Sequence, residues 1–487
     1  MLGLPQLRTV TSVCMLGLWA SACTLGPTYR SPEPPIGAGT ARFAAATPKV
    51  ISDEPSTSWW RLFDDPARDE LVREALAANT DLRVAEANLA EARAVLEEAR
   101  AGRLPSTRVA LGAGYGVSAP ALTASAINRQ NPQPQSIYQA GLDVSWELDL
   151  FGRVRRSIEA ARADVGVAEA AGDGVRVVVA AETARAYADV CAYGEAAAVQ
   201  RRSLATAERS LKLVEEERAA GAVGSYEVDR SEALRDQTQA AIPSLDAQRQ
   251  AALYRLAVLT GRPPEAELTE AAHCVTAPSI SRPLPVGDGR GLLRRRPDIR
   301  QAERRLAGET ARVGVATADL YPTISLGGSL ASLAPTPAAL GAVSNGTWSI
   351  GSLLSWSFPN VAAARARVRQ AEALKAGALA AFDGAVLSAL QDVEQALATE
   401  AAELDRNAAL RRARDRDAAA LAAAEKRYEA GAISFLDRLE VERILISDEA
   451  ALAASDRAVA NDQVLVFKAL GGGWEQPKVH VATNAGS

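Results

Sequence analysis

The chain has 487 residues, of which 48% are hydrophobic and 5% aromatic, and alanine supplies much of the hydrophobic fraction. Its 54 basic and 59 acidic side chains leave a formal net charge of -5, which argues against a nucleic-acid partner. The four cysteines and two histidines lack any metal-ligand spacing, so we expect no metal site, no cofactor and no catalytic centre.

The first residues are typical of an export signal. Arg8 supplies a short basic region, and an apolar stretch too short to span a bilayer follows it. Small residues then precede Cys23 in an arrangement that resembles the lipobox of bacterial lipoproteins, with Ala20 where leucine is usual. We expect residues 1–22 to be removed and Cys23 to carry lipid. The alternative is an ordinary secretory cleavage that leaves Cys23 unmodified. Thr24 favours sorting to the outer membrane.

Two further cysteines, Cys191 and Cys274, remain in the mature chain after Cys23. In an oxidising periplasm they can form a disulfide, and the alternative is two separate buried thiols. No stretch of about 18 continuous apolar residues follows Cys23, so no transmembrane helix is expected.

An internal repeat with an offset of 210 residues organises the chain. Three landmark pairs keep this offset: Trp146 with Trp356, Gly221 with Gly431, and Gly261 with Gly471. Chance similarity among alanine-rich helices is the alternative, but the matches follow one order and nearly one register. The predicted segments are a signal (1–22), an extended lipid-anchored segment (23–60), repeat 1 (61–270), a linker (271–290), repeat 2 (291–473) and a polar tail (474–487).

Period-two alternation predicts two strands in each copy, at about 106–117, 137–149, 322–332 and 346–358. One face is apolar and the other polar, which suits a membrane barrel with a wet lumen, although a soluble sheet with one buried face alternates in the same way. Four strands are too few for a membrane barrel, so subunits must associate. Two chains would supply eight strands and three would supply twelve.

Long helices are predicted after each hairpin, at about 153–220, 226–260, 361–430 and 435–470. At 1.5 Å per residue the longer runs would extend roughly 100 Å. A filamentous coiled coil is the alternative to a tube of helices. Pro243, which has no counterpart in the second copy, predicts a kink.

Several motifs carry a resemblance to a known family. They read CTLGPTYRSPEPP from Cys23, WWRLFDDP from Trp59, SWELDLFGR from Ser145, LLRRRPDIRQAE from Leu292, ATADLYPTISL from Ala316 and FKALGGGW from Phe467. Together they resemble the TolC/OprM-like outer-membrane factors, in particular the NodT-type efflux lipoprotein lineage.

This resemblance implies a mainly α-helical chain whose four strands complete a trimeric 12-stranded β-barrel above a long periplasmic helical barrel. It implies a homotrimer in the outer membrane that docks to a periplasmic adaptor and to an inner-membrane pump, commonly of the resistance–nodulation–division class. The chain would then be a passive, gated duct that is not an enzyme and that exports small molecules.

The resemblance also implies roles for residues at the helical tips. A periplasmic gate would be formed by Leu439, Glu440 and Asp437, and Glu440 has the alternative of being an ordinary solvated residue. Arg230 matches Glu440 in the first copy and is expected to pair with Glu440 or Asp437. The tips would contact the adaptor through Gly221, Ser225, Gly431 and Ser434.

A structural coiled-coil periplasmic lipoprotein without channel activity is the alternative function. It would explain the predicted anchor and the long helices. It would not explain four alternating strands in duplicated positions.

Overall fold

A computed structural model describes residues 24–35, 42–117, 119–129, 131–358 and 361–472. The predicted lipidation site, Cys23, lies outside these residues. The chain forms two compact units, which we call the sheet unit and the helical unit. The sheet unit comprises Met1–Pro32, Leu89–Val167 and Ala302–Phe382, and the helical unit comprises Glu33–Asn88, Ala168–Gln301 and Asp383–Ser487.

The elements follow the same order twice. The first set is β1 (Val50–Ile51), a 3-10 helix (Trp59–Phe63), α1 (Pro66–Ala78), α2 (Thr80–Ala101), β2 (Ser106–Gly116), α3 (Ala119–Asn128), β3 (Gln135–Glu147), α4 (Arg153–Ala219), α5 (Ser225–Leu259) and α6 (Thr269–Ala272). The second set is β4 (Leu284–Pro285), α7 (Gly289–Arg295), α8 (Pro297–Ala318), β5 (Thr323–Ala334), two 3-10 turns (Pro337–Ala339 and Val343–Asn345), β6 (Gly346–Ser355), α9 (Ala362–Glu429) and α10 (Phe435–Ala469).

The returning helices α5 and α10 each contain 35 residues and begin 210 positions apart. The four long helices and the four long strands lie where the sequence patterns place them, with ends that differ by three residues at most. Pro243 lies inside α5, and the helix continues through it.

Two parts of the fold differ from the sequence prediction. The connection between β2 and β3 in the first copy contains the ten-residue helix α3. Its sequence, APALTASAIN, is rich in helix-forming alanine. The extended segment and the linker contain β1 and β4, which pair in parallel through Val50 and Leu284. Strands of two residues are too short to show a period.

One helix, α9, contains a stretch long and apolar enough to cross a membrane by length and composition alone. Every 18-residue window of α9 contains a charged residue, so the expectation that no continuous apolar run of about 18 residues occurs is not contradicted. Core helices of other proteins pass the same composition test.

The sheet unit is built on an antiparallel sheet of order β2-β3-β5-β6. Below the sheet, the start of α4 packs on α2 through an apolar cluster of Leu96, Val154, Ile158 and Ala161. Arg312 of α8 pairs with Asp164 of α4 at 2.6 Å. These contacts join helices of the two repeats beside the sheet.

The helical unit has an aromatic core. Trp59 is fully buried and stacks on Phe467 at 5.0 Å between ring centroids. The edges of Trp60 and Phe63 meet the same indole at 5.8 and 6.3 Å. The motifs WWRLFDDP and FKALGGGW therefore meet in one core, although they lie at opposite ends of the chain.

The motif LLRRRPDIRQAE joins three helices of the helical unit. Arg296, at the junction of α7 and α8, donates to Asp298, to Asp392 of α9 at 2.9 Å and to the carbonyl oxygen of Ala469 in α10 at 2.9 Å. The pKa of Arg296 is raised: burial opposes its charge, but the hydrogen bonds and charges of the two aspartates outweigh that effect.

The disulfide Cys191–Cys274 is present in the structure and joins α4 to the segment after α6. Arg249 of α5 donates to the carbonyl oxygen of Cys274 at 3.3 Å, which holds the same segment against a third element. The bond closes a long loop, so it restricts the unfolded chain more than a local bond would.

Candidate functional site

The two sides of the sheet differ in polarity. Alternate residues of a strand point to opposite faces, so the register assigns each residue to a side. One row across the four strands contains Val109, Leu142, Leu330 and Trp348. The adjacent row, on the other side, contains Arg108, Asp143, Ser329 and Ser349. Most residues on both sides are exposed in the single chain.

The sheet has two open edges, β2 and β6. Soluble proteins usually protect a sheet edge with charges, proline or a bulge. The sequence of β6, GTWSIGSLLS, contains neither a charge nor a proline, and all ten of its residues are exposed. The edge therefore has the properties of a strand that pairs with another chain.

The two long helices α4 and α9 end in the same kind of turn. Gly221 and Gly431 have φ of +76° and +70°, which favours glycine. The following amides reach back into the helix: Ala222 N donates to the carbonyl oxygen of Glu217 at 2.9 Å, and Ala432 N does the same to Arg427 at 2.8 Å. Both hairpin tips are therefore closed by a Schellman-type cap.

The returning helices begin differently in the two copies. Ser434 is the N-cap of α10, where its hydroxyl accepts from Asp437 N at 3.2 Å, and the Asp437 carboxylate accepts from Ser434 N at 3.1 Å. In α5 the N-cap is Gly224, whose amide donates to Glu227 at 3.1 Å. Ser225 is the first residue inside α5 and does not cap it.

An apolar cluster packs the tip of the helical unit. It contains Ala207, Leu211 and Val214 of α4, Val228 and Leu234 of α5, and Phe435 and Leu439 of α10. Leu439 is buried in this cluster within a single chain. The prediction placed Leu439 at a channel constriction, whereas in the single chain its side chain is enclosed by its own helices.

A buried polar network lies beside this cluster. Ser210 Oγ of α4 donates to Glu442 of α10 at 2.6 Å, and Arg438 donates to the same Ser210 at 3.1 Å. Arg438 Nη1 lies 3.7 Å from Glu442, and Nη2 lies 3.6 Å from Glu425 of α9. We call Ser210, Glu425, Arg438 and Glu442 the tip network. It connects both repeats.

Burial raises the pKa of Glu442 above the ordinary glutamate value, despite the opposing hydrogen bond from Ser210 and the charge of Arg438. The geometry explains why burial dominates, since Arg438 stands too far away for a direct hydrogen bond and one carboxylate oxygen has no partner in the described chain. Nearby, Tyr428 of α9 donates to Glu217 of α4, and burial together with this bond raises the pKa of the tyrosine.

Glu440 and Asp437 occupy exposed positions on α10. Glu440 pairs with Arg443 on its own helix at 2.8 Å. Arg230 makes no ion pair with either carboxylate within the described single chain, so that expectation is not met there. Hydrogen bonds from Ser434 lower the pKa of Asp437, because they stabilise its charged form.

Sequence reasoning missed the tip network, although it selected the correct stretch of chain. Arg438 and Glu442 stand four residues apart, which on an alanine-rich helix reads as an ordinary surface pair. Ser210 and Glu425 lie on other helices, so no spacing in the sequence connects them. The four-residue spacing next to the predicted gate was the only available signal.

Comparisons with known proteins agree with this geometry. The family model described as "Outer membrane efflux protein" matches residues 71–262 and 290–472. Nodulation protein T of Rhizobium leguminosarum bv. viciae is 30% identical over 96% of this chain and 94% of its own length. Outer membrane protein OprJ of Pseudomonas aeruginosa is 31% identical over 98% of both. The solved outer-membrane channel OprN has a TM-score of 0.85 and 37% identity, covering 93% of this chain and 100% of that one.

The unequal caps give a matched test. Replacing Ser434 by alanine removes the N-cap hydroxyl and should cost about 1 kcal/mol of local stability. We expect amide exchange in the first turn of α10 to accelerate about fivefold, measured by hydrogen–deuterium exchange mass spectrometry. Ser225→Ala is the control and should leave α5 unchanged, because that hydroxyl caps nothing. Equal acceleration in both helices would contradict the assignment.

Proposed function

The chain belongs to the outer membrane efflux protein family, and we propose that three copies form the passive, gated outer-membrane duct of a tripartite efflux system. The observation that carries the proposal is the open-edged, four-stranded sheet with one apolar face. The duct conducts small molecules and performs no chemistry, and the inner-membrane pump supplies the energy.

Closure of the sheet supports three copies. Backbone groups without partners are prohibitive in a bilayer, so β6 of one chain must pair with β2 of the next. The chain direction alternates from strand to strand along β2-β3-β5-β6. A contact between β6 of one copy and β2 of the next is therefore antiparallel, as in known membrane barrels. Eight strands leave an interior filled by side chains, whereas twelve leave room for a channel.

The long helices also leave apolar surface for neighbouring copies. Large exposed side chains on α9 include Leu374, Leu379 and Leu387. The rest of this helix is rich in alanine, which permits close approach of another helix. Packing between copies would cover this surface and form the helical barrel that continues the duct into the periplasm.

The gate of this duct lies at the tips. Opening requires α9 and α10 to move away from α4, which breaks the bonds of Tyr428 to Glu217 and of Glu442 to Ser210. Around a threefold axis, the exposed carboxylates of Glu440 and Asp437 would form rings that repel one another and favour cations. Leu439 contributes by packing behind them.

The hairpin tips are the proposed contacts for a periplasmic adaptor. The Gly221 and Gly431 turns project an open surface, since nothing lies within 4 Å of where a side-chain Cβ would be. Ser225 and Ser434 begin the helices that follow these turns. The pump behind the adaptor is proposed to be of the resistance–nodulation–division class.

A lipid anchor completes the proposal. Cys23 would carry acyl chains after removal of residues 1–22, so the mature chain would be held in the inner leaflet of the outer membrane. The lipid adds to the attachment that the barrel itself provides.

Two neighbouring positions of β6 test which face meets lipid. Ile350 is 82% exposed and belongs to the apolar face, whereas Leu353 is 66% exposed and belongs to the other. Ile350→Lys should destabilise the inserted protein by about 2–4 kcal/mol, as lysine does near a bilayer midplane. The readout is urea unfolding from lipid vesicles.

The control Leu353→Lys should retain stability and shift the ion selectivity of the pore towards anions, because it adds three charges to the lumen. Loss of stability in Leu353→Lys, with Ile350→Lys unaffected, would reverse the assignment of the faces.

Conductance across planar bilayers tests the duct and its gate together. The raised pKa means that Glu442 holds its proton more tightly in the buried network than in water, so protonation favours the closed tip. We therefore expect conductance of the purified protein to decrease as the pH falls from neutrality towards the ordinary glutamate range. Glu442→Gln should remain at the low value across this range.

Glu429→Gln, which changes an exposed glutamate of α9, is the matched control and should keep the pH dependence of the unmodified protein. Absence of any conductance would favour a structural rod over a duct. Conductance with an unchanged pH profile in Glu442→Gln would remove the tip network from the gate.

A further inference from the structure

The described chain begins with residues 24–31, which we call the N-terminal strap. The Leu25 amide donates to the carbonyl oxygen of Phe151 at 3.4 Å, just before α4. Arg156 of α4 donates to the carbonyl oxygens of Leu25 at 3.1 Å and Gly26 at 3.2 Å. The side chain of Arg156 is buried, so these are enclosed, charge-assisted hydrogen bonds.

A close approach of two glycines fixes the position of the strap against α8. A Cβ on Gly26 would lie only 2.5 Å from Gly314 Cα, and Gly26 has φ of +85°. Further along the strap, Tyr29 donates to Glu303 at 2.8 Å. The strap therefore bridges α4 of the first repeat and α8 of the second, and backbone contact leaves it little freedom to slide.

The first strap residue is held as well. Arg155 donates to Thr24 Oγ1 at 2.8 Å, and Thr24 packs directly on Gly152. Cys23, the predicted mature N-terminus, directly precedes Thr24, and neighbouring Cα atoms are 3.8 Å apart. Acyl chains on Cys23 would therefore start close to this point at the base of the sheet.

A line of aromatic side chains, exposed at Tyr321, Trp356 and Phe358, begins at the same point. Phe151 stacks on Tyr321 at 4.9 Å, and Trp356 Nε1 donates to the carbonyl oxygen of Leu320 at 3.2 Å. Trp356 in turn stacks on Phe358 at 4.7 Å. We call Phe151, Tyr321, Trp356 and Phe358 the aromatic track. It runs from the strap to the base of the edge strand β6.

We propose that the aromatic track is the binding surface for the acyl chains of Cys23. Tyr321, Trp356 and Phe358 expose 42, 48 and 67% of their surface in the single chain, so they offer an apolar surface to an acyl chain that starts beside them. The strap delivers the chains at one end of the track, because Cys23 is bonded directly to Thr24, which Arg155 holds. This inference rests on the lipid anchor of the proposed function, and it assigns that anchor a fixed path along the protein.

Site-specific photocrosslinking of the full-length protein in cell envelopes tests this path. Benzoylphenylalanine replaces Trp356 in one variant and Trp348 in a matched control; both residues are exposed tryptophans associated with β6. After irradiation and trypsin digestion, mass spectrometry measures the peptide 23–30 joined through its acyl chain to the peptide 313–365. We expect at least about tenfold more of this product from position 356, because eight residues of strand separate the sites by roughly 26 Å.

A second variant tests the role of the strap. Gly26→Val collides with Gly314 and should lower the product at position 356 several-fold while Cys23 stays acylated. Equal products from positions 356 and 348, or crosslinks at 356 only to free phospholipid, would overturn the proposal. An unmodified Cys23 would overturn it as well, and the conductance of the same preparation would show separately whether the duct function stands.

Discussion

Two strand edges impose the constraint on which the structure depends. β2 and β6 present backbone N–H and C=O groups that no other described strand of the same chain pairs. In water such edges attract other strands, and in lipid each unpaired group costs several kcal/mol. The sequence of β6 contains no charge or proline that would prevent pairing with a strand of another chain. A single chain is thus an incomplete sheet, and in the proposed assembly its edges pair with those of neighbouring copies.

The duplication meets this constraint simply. Each repeat contributes one hairpin, and the two hairpins lie side by side as β2-β3 and β5-β6. Hairpins of similar length let the apolar rows run continuously from one repeat to the next, as Leu142 beside Leu330 shows. In the proposed barrel, equivalent hairpins are useful because every strand would meet the same lipid.

The opposite end of the repeats is unequal. Ser434 caps α10 with its hydroxyl, whereas α5 begins from Gly224 with help from Glu227 alone. Arg438 and Glu442 belong to the second copy, and the position matching Arg438 in the first copy is Val228, an apolar cluster residue. A buried charge with an imperfect partner stabilises one arrangement weakly, and such a network is easily exchanged for water. This inequality suits a tip that must open.

The sequence was sufficient for the repeat, the long helices and the alternating strands, because periodicity is a local property that survives in a single chain. It also selected Cys191 and Cys274 as a candidate pair by counting the cysteines that remain in the mature chain. It could not show that Leu439 turns into an apolar cluster or that Ser210 meets Glu442, since these contacts join helices more than two hundred residues apart. The short strands β1 and β4 were missed because two residues are too few to show an alternating sequence pattern. They form strands only by pairing with each other.

Cysteine crosslinking across the two open edges tests the central claim most directly. One cysteine replaces Ile350 on β6, and a second is moved along β2 from residue 107 to residue 115. Within one chain the edges are separated by three strand spacings, roughly 14 Å, which is too far for a disulfide. The account predicts crosslinks only at one antiparallel register, with a covalent product of three chains as the largest species on denaturing gels. Products that stop at two chains, extend beyond three, or never form in native membranes would contradict it.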